Sequence, residues 1–323
     1  MHVRILGGGI AGSAAAIAAR ALDAPVEIFE KAKFPRHKVC GEFVSGQAVA
    51  LLEKLKLKDE FTEQQPVRLN RVLIHFKKRS KTVALAETGY GLSRYCLDNL
   101  LFSRAVAAGA AHVPLGLDRP NIIASGRVAM DTSLNRLFSF KAHFAGPASD
   151  ALELFFFSRC YVEVTPIEGG FTNICGVAPE HMLHRYGFDF DTLLDRSPAL
   201  RERIRPMKRQ MNWMKAGPIV FESKFGVNQT ADTYYVGDAL AFTDPFTGAG
   251  IAAALESGRL AGECCARGVS SAYYMKKCRA MFERPFLNAR RIRGLLDNGR
   301  AERFALVLPA GLLFSMTRPR IPV

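Results

Sequence analysis

The sequence predicts an α/β fold: a Rossmann-type nucleotide-binding domain interleaved with an antiparallel β-sheet substrate domain, followed by a helical C-terminal segment. Three observations carry this. A short alternating run, HVRIL, leads into GGGIAG and a helix of small residues, SAAAIAARAL, before a second strand, PVEIFE, that ends in Glu30. Four strand-like runs separated by Gly, Pro and Ser turns fill residues 137–178. A second glycine-rich helix start, DPFTGAGIAAALESG, arrives late, at 244–258.

Strand, glycine turn, helix and strand within about thirty residues form the βαβ unit that binds a nucleotide. Gly7 permits the tight turn, Gly9 lets a pyrophosphate approach the backbone, and Gly12 lets helix and sheet pack closely. The helix start offers free N–H groups and a partial positive charge to phosphates. Glu30 falls where a carboxylate takes ribose hydroxyls, so the candidate residues here are Gly7, Gly9, Ile10, Ala11, Gly12, Glu30 and Lys31. The competing reading is a buried α/β turn with no ligand.

Further along, residues 48–58 read as a helix, and VRLNRVLIHFKKRSKTVALAE as a β-hairpin turning at KKRSK. LSRYCLDNLLFSRAVAAGA has helical spacing, with Arg94 and Asp98 near its start, and IIASGRVAM reads as a short buried strand. The runs LFSFKAHFAG, ALELFFFS, CYVEVTPIEGG and FTNICGVA form an antiparallel sheet expected to wall a cavity. A helical linker is expected over Phe188–Met214, and the chain after 270 is basic and helical. The nucleotide-binding parts are therefore 1–64, 91–130 and 225–270. The substrate domain takes a hairpin at 65–90 and a sheet at 131–224, and 271–323 forms the C-terminal segment.

At 323 residues and 49% hydrophobic, the chain can bury a sizeable core. Its seven scattered cysteines lack CxxC spacing, which favours free thiols in a reducing compartment, and no metal site is expected. The first apolar run belongs to the βαβ unit rather than to a secretory segment, and no run of eighteen apolar residues exists. A cytoplasmic location is expected. The net charge of +14 comes without zinc-finger spacing, an RNP-like motif or a long basic block, so nucleic acid is not an expected partner. From Arg279 to Arg320 nine Lys/Arg face three acids, a balance suited to anionic lipid or an anionic cofactor. Within it, ERFALVLPAGLLFSMTRPR holds an apolar run between basic flanks, which fits either a helix packed on the domain or a peripheral contact with an anionic membrane.

The late glycine turn decides the cofactor. Tyr234–Gly237 is a strand end, Asp238 is a carboxylate at its carboxyl edge, and Gly248, Ala249, Gly250 and Ile251 open a helix. Such a carboxylate can accept a ribityl hydroxyl, and such a helix start stabilises negative charge on a reduced flavin ring. The set of GxGxxG, PRHKVCGE, an SRxxxD helix start and GDAxxxxDPxTGxGI resembles FAD-dependent oxidoreductases of the geranylgeranyl reductase family, within the group that shares the p-hydroxybenzoate hydroxylase fold. The resemblance covers most of residues 1–265 and implies FAD as cofactor. It places Gly7, Gly9, Gly12 and Glu30 on the ADP half, Arg36 and Arg94 near the pyrophosphate, Asp238 on the ribityl chain and 248–250 beside the flavin ring. One departure is Ser125-Gly126, where relatives carry Asp-Gly after a hairpin; it leaves NAD(P)H, or another electron donor, unassigned.

Three reactions follow from that resemblance. The main expectation is reduction of carbon–carbon double bonds in a prenyl or other lipid-like, apolar substrate, as in lipid or natural-product metabolism. The alternative is a flavin-dependent monooxygenase hydroxylating an aromatic or long-chain phenolic or polyketide substrate, and the second alternative is a flavin-binding protein that has lost turnover. Halogenation is not expected, because the place of the Trp-x-Trp-x-Ile-Pro motif is occupied by YVEVTPIEG. Cys40, in CGE, is the candidate catalytic residue as proton donor or ring contact, with Arg36, His37 and Lys38 expected to lower its pKa if they face it. His143 reads as a satisfied sheet histidine or a proton donor, and Cys264-Cys265 as core.

Overall fold

The structure is a computed structural model that describes residues 1–76, 79–113, 119–127, 136–147, 149–226, 232–297 and 316–322. In chain order the elements begin with β1 (Val3–Leu6), α1 (Ile10–Arg20), β2 (Val26–Phe29), β3 (Phe43–Val44), α2 (Gly46–Lys54) and α3 (Lys58–Glu63). Next come the hairpin β4 (Val67–His75) and β5 (Ser80–Gly91), then α4 (Arg94–Ala107), β6 (Ala111–Val113) and β7 (Ile122–Ile123). The sheet strands β8 (Leu137–Ala145), β9 (Ala151–Phe157), β10 (Cys160–Ile167) and β11 (Phe171–Pro179) precede three short helices, α5 (Glu180–Arg185), α6 (Phe190–Leu194) and α7 (Pro198–Ile204). The chain continues through β12 (Lys208–Arg209), β13 (Met214–Ile219), β14 (Tyr234–Tyr235), α8 (Gly250–Ala266), α9 (Ser271–Cys278) and α10 (Arg284–Asp297).

Two sheets result. One is parallel, ordered β14-β7-β1-β2-β6, and its centre is the βαβ unit in which Val3–Leu6 pairs in register with Val26–Phe29. The other has nine strands along the path β12-β8-β11-β10-β9-β4-β5-β3, with β13 also on β8. It is antiparallel except where β4 runs parallel to β9. The hairpin and the four-strand meander form where the alternation places them. The expected linker helix over Phe188–Met214 is instead two short helices and two strand starts, because Asp189 and Ser197 cap new helices and the chain then adds Lys208–Arg209 to the edge of β8. Phe43–Val44 also joins the second sheet, although it precedes the hairpin in sequence.

The helices α1 and α8 lie back to back because both present small residues. A Cβ on Gly258 would stand 2.1 Å from the Ala11 carbonyl oxygen, and one on Gly262 would stand 2.2 Å from that of Ala15. Above the second sheet, Phe140, Val162, Val164 and Ile174 pack against Leu183, Phe190, Leu193 and Leu200 of the three short helices. That covers one face of β8, β10 and β11. Their opposite face points toward the half of the molecule that holds the parallel sheet.

Residues 305–315, most of the apolar run near the chain's end, and VAM in IIASGRVAM lie outside the described residues. Among the described residues no helix is long and apolar enough to cross a membrane.

Candidate functional site

The strand end before the second glycine turn packs against the first glycine turn. Gly7 adopts φ +105, and a Cβ there would stand 2.3 Å from the Ala124 oxygen; a Cβ on Gly12 would stand 1.8 Å from the Gly7 oxygen. Only glycine fits either place. Ile10 and Ala11 are buried in the first turn of α1, and Gly237 packs against the Ala11 methyl, which brings Asp238 alongside. On the far side Gly248 is left-handed at φ +63 and abuts Phe43, and Ala249, Gly250 and Ile251 start α8.

Both helix starts lack a side-chain cap: Gly9 and Ala249 carry no acceptor for the first N–H groups. By contrast α2, α4 and α9 are capped by Ser45, Ser93 and Ser270. Positive charge gathers at the same place. The Lys38 Nζ lies 3.1 Å from where a Gly9 Cβ would be, and it pairs with Asp98 at 2.5 Å beside the Arg94–Asp98 fork at 2.6 and 3.0 Å. Asp238 is open to solvent yet ringed by protein, as a side chain lining a deep cleft is. Burial pushes its carboxyl above the ordinary value, with Arg94, Arg127 and Lys38 partly offsetting.

Uncapped helix starts, a glycine floor and three cations facing one carboxylate fit a dinucleotide's phosphates and sugar hydroxyls. Of the sequence candidates, the geometry brings together 7–12, Asp238 and 248–251. Glu30 is buried at the end of β2, accepting from the N–H of Gly8 at 3.0 Å and of Ala32 at 2.8 Å. Arg36 reaches Glu30 at 3.4 Å and lies over the Phe34 ring rather than at the α1 start. Lys31 is exposed. Arg94 is half-buried between Asp98 and Cys40.

The segment that carries Cys40 is clamped from below by the free face of the second sheet. Asn173 donates to the carbonyls of Cys40 and Gly41, each at 2.9 Å. Glu42 is fully buried and accepts from the Lys141 ammonium, from His143 at 2.8 Å and from the Arg94 N–H at 2.7 Å. Burial alone would push the Glu42 carboxyl up, but Lys141 and His143 outweigh it and hold it below the ordinary glutamate value. His143 is therefore a satisfied sheet histidine, with His37 edge-on at 5.1 Å.

Cys40 departs from expectation. Arg36 is drawn to Glu30, Lys38 to Asp98 and His37 to the His143 and Tyr95 rings, so none of the three activates the thiol. Burial raises the Cys40 pKa and Arg94 only partly offsets this. The thiol stays protonated at neutral pH.

Beneath Gly41 lies Glu163, whose Oε2 a Gly41 Cβ would meet at 2.2 Å. Burial raises its pKa to about 7, against the Thr165 hydroxyl bond at 3.1 Å and with the Glu42 charge raising it further. A carboxyl raised above its unfolded value favours the folded state at low pH, and that contribution is lost as pH rises through the folded value. Between roughly pH 4.5 and 7 the loss amounts to about 3 kcal/mol. Wild-type melting temperature should thus fall between about pH 5 and pH 8 more steeply than that of Glu163→Gln; parallel slopes in a thermal-melt series would refute the assignment.

The neighbouring part of the face is aromatic. Tyr161, Val177 and Ile219 are buried with Phe156, Phe221, Phe242 and Phe246 around them, next to the 244–250 turn. Arg293 of α10 enters this cluster, 5.2 Å above the Tyr161 ring, and forms a two-pronged pair with Asp244. The Tyr161 hydroxyl is buried and has no hydrogen-bond partner among the described residues. Sequence reading missed Lys141, Glu163, Tyr161 and Arg293; the signal for the first three is that polar residues occupy the same parity on β8, β10 and β11.

No protein-family model and no curated protein matches this sequence. The fold is nonetheless that of FAD-dependent halogenases and hydroxylases. A flavin-dependent brominase superposes at a TM-score of 0.76 with 18% identity, over 98% of this chain and 92% of that one. A geranylgeranyl bacteriochlorophyll reductase-like protein from Thermoplasma acidophilum gives 0.70 and 20%, over 97% and 89%. The P. aeruginosa protein PqsL, in complex with 2-aminobenzoylacetate, gives 0.71 and 15%, over 94% and 99%. The geranylgeranyl reductase-like protein is thus one structural neighbour among several.

Proposed function

We propose that the protein is an FAD-dependent oxidoreductase that oxidises a small aromatic or phenolic substrate with dioxygen. The observation that carries this reading is the Tyr161 hydroxyl, buried among aromatic rings beside the 244–250 turn with no hydrogen-bond partner among the described residues. An unsatisfied buried hydroxyl costs about 1–3 kcal/mol, which a substrate polar atom would relieve. FAD, once reduced by an external two-electron donor, would supply oxygen activation, with one oxygen atom entering the substrate and the other leaving as water. Lys38 and the α1 start would hold its phosphates, Asp238 its sugar-like chain, and the α8 start the ring edge where negative charge develops. The aromatic side chains keep water away from the reacting atoms. The likeness to a brominase and to a protein holding an aromatic acid supports this reading over lipid reduction.

Purified protein is expected to be yellow or to take up added FAD; protein that does neither would end this proposal. With FAD bound and reduced, labelled dioxygen should appear in a phenolic product. Tyr161→Phe should lower kcat/KM about five- to tenfold, the equivalent of one lost hydrogen bond, while leaving FAD affinity unchanged; an unchanged kcat/KM would remove Tyr161 from the site.

A second reading, reduction of a prenyl or other lipid double bond, is favoured by the Cys40 thiol. It remains protonated, as a proton donor must. Under this reading Cys40→Ala keeps FAD and loses alkene reduction. An enzyme that binds FAD but turns over neither substrate class after chemical reduction would support the reading without turnover.

A further inference from the structure

The C-terminal region builds a surface that the redox site does not use. On α10, Arg284, Leu287, Asn288 and Arg291 recur at the three- and four-residue spacing of one helical face. In the tail, Met316, Arg318 and Arg320 reach the surface while Thr317, Pro319 and Ile321 are buried. These two outward faces, with Pro285, line a single cleft of about 510 Å³. The tail is fixed there: Asn288 donates to the Met316 carbonyl at 2.9 Å, Gln47 to that of Pro319 at 3.2 Å, and the Arg320 N–H to that of Met281 at 3.0 Å.

The charged lining is four arginines and no acid. None of the four guanidinium groups forms a salt bridge with a described residue. Three partly buried arginines elsewhere are paired with acids, Arg94 with Asp98, Arg203 with Glu153 and Arg259 with Glu256. Arg318 is half-buried, and burial pulls its pKa down with Glu87 only partly offsetting. The apolar lining is equally unusual. Leu287 and Met316, 44% and 41% exposed, are two of the eight large hydrophobic side chains exposed among the described residues.

We propose that this cleft docks the protein on an anionic bilayer, with lipid phosphates against Arg284, Arg291, Arg318 and Arg320 and with Leu287 and Met316 entering the headgroup region. Charge complementarity selects phosphate, since guanidinium pairs with it in two-pronged geometry. The two exposed apolar side chains select a lipid surface over a dissolved phosphate ester, which would leave them in water. Pro285, Thr317 and Pro319 also line a small cavity under the 237–249 turn, so a docked bilayer would lie close to the candidate redox site. The proposal does not depend on which reaction that site performs.

Co-sedimentation of the full chain with phosphatidylcholine vesicles, alone or mixed with phosphatidylglycerol, tests it. Binding is expected only with the acidic lipid. Arg284→Glu with Arg320→Glu, both at exposed positions, should weaken it by roughly tenfold or more, since each basic residue at an acidic surface is worth about 1 kcal/mol. Arg185→Glu with Arg201→Glu, exposed and on the far sheet helices, changes net charge equally and should retain binding. Leu287→Ser with Met316→Ser should also weaken it. Equal binding to neutral vesicles, or equal loss in the control pair, would overturn the proposal. Calorimetric binding of glycerol 3-phosphate or pyrophosphate that the first pair abolishes, without vesicle binding, would do so too.

Discussion

Glu42→Gln is expected to destabilise the protein by about 3–5 kcal/mol and to lower its melting temperature by on the order of 10 °C. The substitution keeps the shape and can still accept from the Arg94 N–H. Among the described residues it removes the only carboxylate that touches Lys141, a fully buried ammonium that also donates to the Lys38 carbonyl at 3.1 Å. A buried charge stripped of its partner costs far more than the pair contributes. The direct consequence is a rescue: Lys141→Met in the Glu42→Gln background should recover much of the loss, because the uncompensated charge is gone. Thermal melts of the two single variants and the double variant measure the coupling, and additive losses would show that the contact is not the source.

The pH dependence of the same cluster has two limbs. Glu42, held below its ordinary value, contributes stability that is present above the unfolded carboxylate pKa and lost as pH falls through the folded one. Glu163, raised to about 7, loses its contribution in the other direction. Two carboxyls on either side of Gly41 therefore bracket the pH range in which the Cys40 segment is held most firmly.

Local chemistry announced part of this arrangement. The GxGxxG turn, the alternation of the hairpin and the DPFTGAG helix start all act within a few residues, so the parallel sheet and the two uncapped helix starts could be read directly. The clamp under Cys40 could not. Lys141 and His143 share β8 with Phe140 and Phe144, and alternation alone assigns such a polar face to solvent. It is buried because residues 38–42, about a hundred positions earlier, fold across it. A separation of 49 positions hid the Arg293–Asp244 pair in the same way. The expectation for Cys40 fails for a similar cause: Arg36, His37 and Lys38 adjoin the thiol in sequence, but each has a carboxylate or ring partner elsewhere.

The contact between α1 and α8 carries the other large effect. Gly258→Ala would ordinarily add about 1 kcal/mol of helix propensity. Here the new Cβ would lie 2.1 Å from the Ala11 oxygen, which belongs to backbone and cannot swing aside. The helices must separate by more than an ångström (about 1 Å or more, judged from ordinary van der Waals contact). Overpacking of this kind costs about 1–3 kcal/mol or more, so the clash outweighs the propensity gain and a net loss is expected, with Gly258→Val failing to fold. Separation also moves the starts of α1 and α8 apart, and these are the two ends of the proposed cofactor cradle. Gly258→Ala should therefore bind FAD more weakly than wild type even at temperatures where it remains folded. A melting temperature at or above wild type, together with unchanged FAD affinity by fluorescence titration, would mean that the two helices do not touch at Gly258 and that the cradle is set by other contacts.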